Sequence, residues 1–300
     1  MEQQNLQNKN RTVFTAFVNF CMVWFFCFCI GSFIAQGILQ WWEVNDFKEI
    51  LNGIAKGTLL EYIPLVKLLN GILHLFRYLI PVLIFVFVFH KQKKWQYLKL
   101  NKPPTLLALG GSIGLVIFIY PFIAFVYYWN TILIPDAWIA QDILNMQQYF
   151  MAMDSIHDLF WNVLLFGIIA GVGEEFLFRG ILQSFITKIF DNKHIGAIGT
   201  GVLFSIIHFQ LEGFIPRFLL GTFFGYLLIF TQNLWIPALV HVFFNSFQVI
   251  LPYFLPNLGG KVNEVQEISP FLAFFSLLFF SCLLIYLTKN TKDFKIKYNT

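Results

Sequence analysis

The dominant pattern in this sequence is a series of apolar runs long enough to cross a lipid bilayer. From Thr12 to Trp42 no residue is charged. A hydrocarbon core about 30 Å thick is crossed by about 20 residues of helix. Runs of that order recur near residues 13–39, 69–90, 105–129, 159–187, 195–211, 214–231, 233–254 and 270–287. The pattern predicts an all-α polytopic membrane protein with about eight transmembrane helices. The second run is the least regular, because Lys67, His74 and Arg77 interrupt its start and the clean apolar stretch begins near Tyr78. The first is longer than a signal-peptide core and has no small-x-small cleavage site, so it reads as a retained anchor. Residues 40–68 and 130–157 are too long for turns and mix Trp41, Trp42, Tyr62, Trp138 and Tyr149 with acidic residues. Such mixtures predict interfacial helices in two outer loops. Internal repeats and flexible linkers are absent from the sequence, so residues 1–300 read as a single membrane domain.

Composition sharpens this picture. Apolar residues make up 58% of the chain and charged residues 12%, against about 45–50% and 25% in soluble domains. So little polar surface cannot cover a globule in water, and the bilayer is the expected partner. The net charge of +4 comes from scattered residues, which leaves no footprint for nucleic acid. Thirteen Lys and Arg fall in one set of loops and at both termini, and five in the opposite loops. The positive-inside rule then places both termini in the cytoplasm. The expected location is the inner (plasma) membrane of a bacterium. The four cysteines sit in apolar runs without a C-x-x-C pair and are expected as buried small hydrophobes.

In so apolar a chain, the informative residues are the ionisable ones inside the runs. The fourth run contains Glu174, Glu175 and Arg179, each costing about 2.5–3.5 kcal/mol at a helix centre if unpaired. Glu175 and Arg179 are four apart, with the acid on the N-terminal side, the order that favours a pair. Glu174 faces elsewhere on a regular helix and is left as the carboxylate free to act. Phe204 and His208 are four apart in the fifth run, and His241 and Asn245 four apart in the seventh. Short of partners in their own helices, these groups are expected to converge in one internal, wet cavity. A Glu with a His can take a proton from water, and a His with an Asn can donate to an oxyanion. Together they make a peptide hydrolase without a Ser or Cys nucleophile. Glu174, His208 and His241 also form a three-ligand set compatible with catalytic Zn, although no H-E-x-x-H is present, and the metal-free reading is favoured. On these spans His208 lies nearer the outer end than Glu174, which calls for a shifted fifth span or an inward-folded loop.

The motifs E-E-F-L-F-R at 174–179, F-S-I-I-H at 204–208 and H-V-F-F-N at 241–245 resemble, in order and spacing, those of the CPBP family. That family groups type II CAAX prenyl endopeptidases with bacteriocin self-immunity proteins. The resemblance covers residues 158–250, including Gly221 and Gly225, and implies a catalytic core there. It implies that Glu174 and His208 activate water, that His241 and Asn245 stabilise the oxyanion, and that Glu175 and Arg179, with Phe204, support the geometry. It further implies an intramembrane endopeptidase, glutamic or metallo in type, acting on a membrane protein or lipidated peptide. Two other readings remain open at the level of sequence. Intramembrane acids also mark proton- or ion-coupled transporters, and the same fold could serve as a non-catalytic bacteriocin-immunity or scaffold protein.

Overall fold

The computed structural model describes residues 2–139, 141–255 and 267–294. Ten helices carry the fold: α1 (Glu2–Trp41), α2 (Phe47–Ala55), α3 (Leu60–Phe89), α4 (Leu106–Leu133), α5 (Gln141–Met151), α6 (Ile156–Phe190), α7 (Lys193–Ile206), α8 (Phe214–Thr231), α9 (Trp235–Phe254) and α10 (Pro270–Asn290). Seven are long and apolar enough to cross a membrane, namely all but α2, α5 and α7. The expected spans are therefore seven full-length helices and a shorter one. The 14 residues of α7 reach only about 21 Å at 1.5 Å per residue.

The two long outer connections hold helices as expected. Asp46 caps α2 by accepting from the Lys48 and Glu49 amides, and α2 packs against α5. Ile50 and Ile54 from α2 join Val66 of α3 and Phe150 of α5 in one apolar cluster. This cluster covers the end of the bundle where α6 begins, and Asn162 of α6 donates to the Phe150 carbonyl there.

The bundle is arranged around α6. On one side, α1 and α3 pack through Phe20, Val82, Phe85, Phe178 and Phe185. On the other, α4, α8, α9 and α10 share a cluster containing Leu115, Ile119, Leu227, Ile236, Val240 and Leu287. Between α6 and α8 lies α7. Asp191, in the left-handed region, ends α6, and Asn192 caps α7 by accepting from His194 and Ile195. Leu234 and Asn233 bond the carbonyls of Lys99 and Lys102, while Asp293 accepts from Thr105. The loops expected on the basic side thus gather at one end of the bundle. Of the cysteines only Cys27 is buried, while Cys21, Cys29 and Cys282 are exposed on outward helix faces.

Two departures from α geometry lie within α6, π-helical turns at Val163–Ile169 and Phe176–Leu182, with six α-helical residues between them. A π turn shifts the register of the residues around it and is common at functional sites. The faces of α6 are also shaped by glycine. A Cβ at Gly171 would lie 2.8 Å from the Val242 amide nitrogen of α9, a backbone atom that cannot rotate away. The small residue is what lets α9 approach. Gly171→Ala is expected to destabilise the protein by about 1–3 kcal/mol, read as a lower thermal midpoint in detergent. Gly37→Ala, where nothing lies within 4 Å, should leave that midpoint unchanged or raise it.

Candidate active site

The side chains that make α6 expensive to bury are matched in detail. Arg179 Nη1 donates to Glu175 Oε1 at 2.8 Å, the pair expected from the spacing, and Nη2 donates to the Gly221 carbonyl of α8 at 2.6 Å. The rings of Phe178, Phe204 and Phe224 lie 5.7, 5.2 and 5.6 Å from the guanidinium carbon. Cation–π attraction there replaces part of the lost hydration. Gly221 sits against Gly201 of α7, where an added Cβ would come within 3.0 Å of the backbone. The Gly221–Gly225 stripe is a packing face, and Gln183 likewise reaches the Gly225 carbonyl.

His241 enters from α9. Its Nδ1 is 2.8 Å from Glu175 Oε1. That oxygen already accepts from Arg179, so the carboxylate is ionised and Nδ1 carries the proton. The imidazole stacks on Phe224 with centroids 4.7 Å apart. Its other nitrogen, Nε2, lies 3.8 Å from Glu174 Oε2, close enough for one water oxygen to bond both. Glu174, Glu175, Arg179 and His241 are all buried. Two carboxylates and one guanidinium leave one negative charge, which a single proton on Glu174 or His241 cancels. Burying an unbalanced charge is strongly destabilising, and a proton on either Glu174 or His241 would balance the cluster.

His208 lies just past the end of α7, in a turn containing Phe209 at φ 52°. Phe178 of α6 meets Phe204 of α7 edge-on at 5.2 Å. His208 Nδ1 is 2.7 Å from the Phe204 carbonyl. A carbonyl only accepts, so Nδ1 is the donor and Nε2 is a bare lone pair in the neutral ring. The Phe204 ring stands 5.0 Å from His208 and 5.9 Å from His241. Asn245 Nδ2 donates to the Phe166 carbonyl in the first π turn of α6 at 3.1 Å, which leaves its second amide hydrogen for another acceptor. Arg217 holds the turn after His208 by donating to the Gln210 side chain and carbonyl.

Sequence reasoning passed over His74 of α3, whose Nε2 lies 3.9 Å from Glu174 Oε1. Its position in a weak apolar run concealed it, and the small residues around Gly173 are the signal that could have exposed it. The expected ligand set of Glu174, His208 and His241 is not gathered as a metal cage. Among the described residues no three His, Cys, Asp or Glu side chains stand together at ligand spacing.

Residues 156–247 match the family model of the type II CAAX prenyl endopeptidases, Rce1-like. The matched stretch runs from the start of α6 past Asn245 and so contains Glu174, Glu175, Arg179, His208, His241 and Asn245. No curated protein and no solved structure matches the chain. Removing the cation at the centre tests how the cluster is held. Arg179→Ala leaves Glu175 buried with one partner fewer, at an expected cost of about 3–5 kcal/mol, measured by thermal unfolding in detergent. Arg179→Lys should recover only part of this, because an ammonium lacks the planar fork that spans Glu175 and Gly221.

Proposed function

We propose that this chain, whose residues 156–247 match the family model of the type II CAAX prenyl endopeptidases, is a CAAX-type intramembrane protease that hydrolyses a peptide bond in a membrane-associated or lipidated protein with Glu174 as general base. The observation that carries this reading is the buried Glu174–His241 contact at 3.8 Å, inside a cluster whose charges one proton would balance. In the reactive form Glu174 is ionised and His241 protonated. A water held by Glu174 loses a proton to that carboxylate as its oxygen attacks the carbonyl carbon. The oxyanion receives hydrogen bonds from His241 Nε2–H and from the second amide hydrogen of Asn245. Glu174 then passes its proton to the amide nitrogen as the C–N bond breaks, releasing a carboxylic acid and an amine, and the acid gives its remaining proton to the amine as the products leave. Glu175 holds His241 by its Nδ1 proton, and Arg179 holds Glu175. No metal is needed in this reading.

A cavity of about 280 Å³ supports a membrane substrate. It is lined by Phe17, Trp24, Tyr78, Phe178 and Ile207 among others, with Arg77 at its wall. Tyr78 packs on His74 at 4.3 Å, so the cavity adjoins the site and suits an apolar segment or hydrocarbon chain. The end of the bundle that gathers the basic loops is assigned to the cytoplasm.

The test is cleavage of a lipidated or membrane-spanning peptide by purified protein. Glu174→Gln should lose at least about 100-fold in kcat, and wild-type activity should survive a metal chelator. Equal rates for wild type and Glu174→Gln contradict the assignment, and loss of activity on chelation contradicts its metal-free part. Asn245→Ala should lower kcat about 100-fold with little change in KM, the signature of a donor used in the transition state.

A further inference from the structure

Glu174 has two oxygens, and the structure treats them differently. Oε2 faces His241 on α9, while Oε1 faces His74 Nε2 on α3 at 3.9 Å. His74 closes the last turn of α helix before the π turn Leu75–Leu79. It packs against Gly173, where an added Cβ would stand 3.3 Å from His74 Cδ2 and Nε2. Tyr78 covers its other face at 4.3 Å. The Nε2 atom is buried and has no hydrogen-bond partner among the described residues. In the tautomer with its proton on Nδ1, His74 presents Nε2 to that carboxylate oxygen as a bare lone pair.

Two acceptors 3.9 Å apart repel unless a donor lies between them, and leaving a buried nitrogen unpartnered is costly. A water molecule satisfies both at once, giving one O–H to His74 and one to Glu174. We propose that His74 is a further catalytic residue, the second acceptor that orients the nucleophilic water on the Oε1 side of Glu174. This rests on the hydrolytic reading above. With both protons engaged, the water turns a lone pair outward, toward the substrate carbonyl. Glu174 takes the proton it shares, and His74 keeps the other O–H pointed away from the attack. The carboxylate thus separates the work, with water held on the His74 side and oxyanion donors on the His241 side.

The experiment compares wild type, Glu174→Gln, His74→Leu and His74→Gln in cleavage of a lipidated peptide, with thermal midpoints recorded for each. His74→Leu should lower kcat about 100-fold with KM within about twofold. His74→Gln, whose side-chain carbonyl can accept, should recover about 10-fold of that loss. A folded His74→Leu protein with wild-type kcat overturns the His74 assignment while leaving Glu174 intact. An active Glu174→Gln overturns the hydrolytic reading itself. A second measurement needs no His74 variant: ring-nitrogen spectra of isotope-labelled histidine in wild type and Glu174→Gln. Two histidines, one on each side of the carboxylate, should shift their Nε2 signals, and a shift confined to one overturns the proposal.

Discussion

A single carboxylate oxygen organises this protein. Glu175 Oε1 accepts from Arg179 and from His241 at the same 2.8 Å, and both donors are held elsewhere. Arg179 reaches the Gly221 carbonyl of α8, and His241 stacks on Phe224 of the same helix. One oxygen thereby links three helices at a buried point. Its charge is opposed by Arg179, which leaves Glu174, 3.8 Å from His241, as the acid without a cation of its own. The hydrolytic proposal grows from that electrostatic remainder.

Such an arrangement needs helices closer than ordinary side chains allow. Gly171 admits the α9 backbone and Gly221 admits α7, so the polar groups are brought together by residues that have no chemistry of their own. The π turns on either side of Ala170–Glu175 serve the same end. One leaves the Phe166 carbonyl available to Asn245, and the other lies where Arg179 turns toward α8. The substitutions most damaging to the site therefore include some that never touch a reacting atom.

Much of this was legible in the order of residues. Long apolar runs specify membrane helices because lipid offers the backbone no alternative partners. The spacing of Glu175 and Arg179 specifies their pair because it is local to one helix. The loop helices α2 and α5 were visible as mixed aromatic and acidic segments. What was hidden depends on neighbours far apart in sequence. The bond from His241 to Glu175, and the placement of His74 beside Glu174, arise from how α9 and α3 dock on α6. The apolar run at 195–211 contains a 14-residue α7 followed by a turn, because hydropathy does not register a turn that carries Phe209 and Leu211. The binding of Gln210 by Arg217 follows from the same turn.

The central claim is that water itself is the nucleophile, with no covalent intermediate on the protein. It is tested most directly by a single turnover in water labelled with heavy oxygen, followed by mass analysis of peptide and protein. The account predicts one labelled oxygen in the new peptide carboxylate and none in the Glu174 side chain. Label recovered in Glu174, or an intermediate trapped there by an added amine, would contradict it.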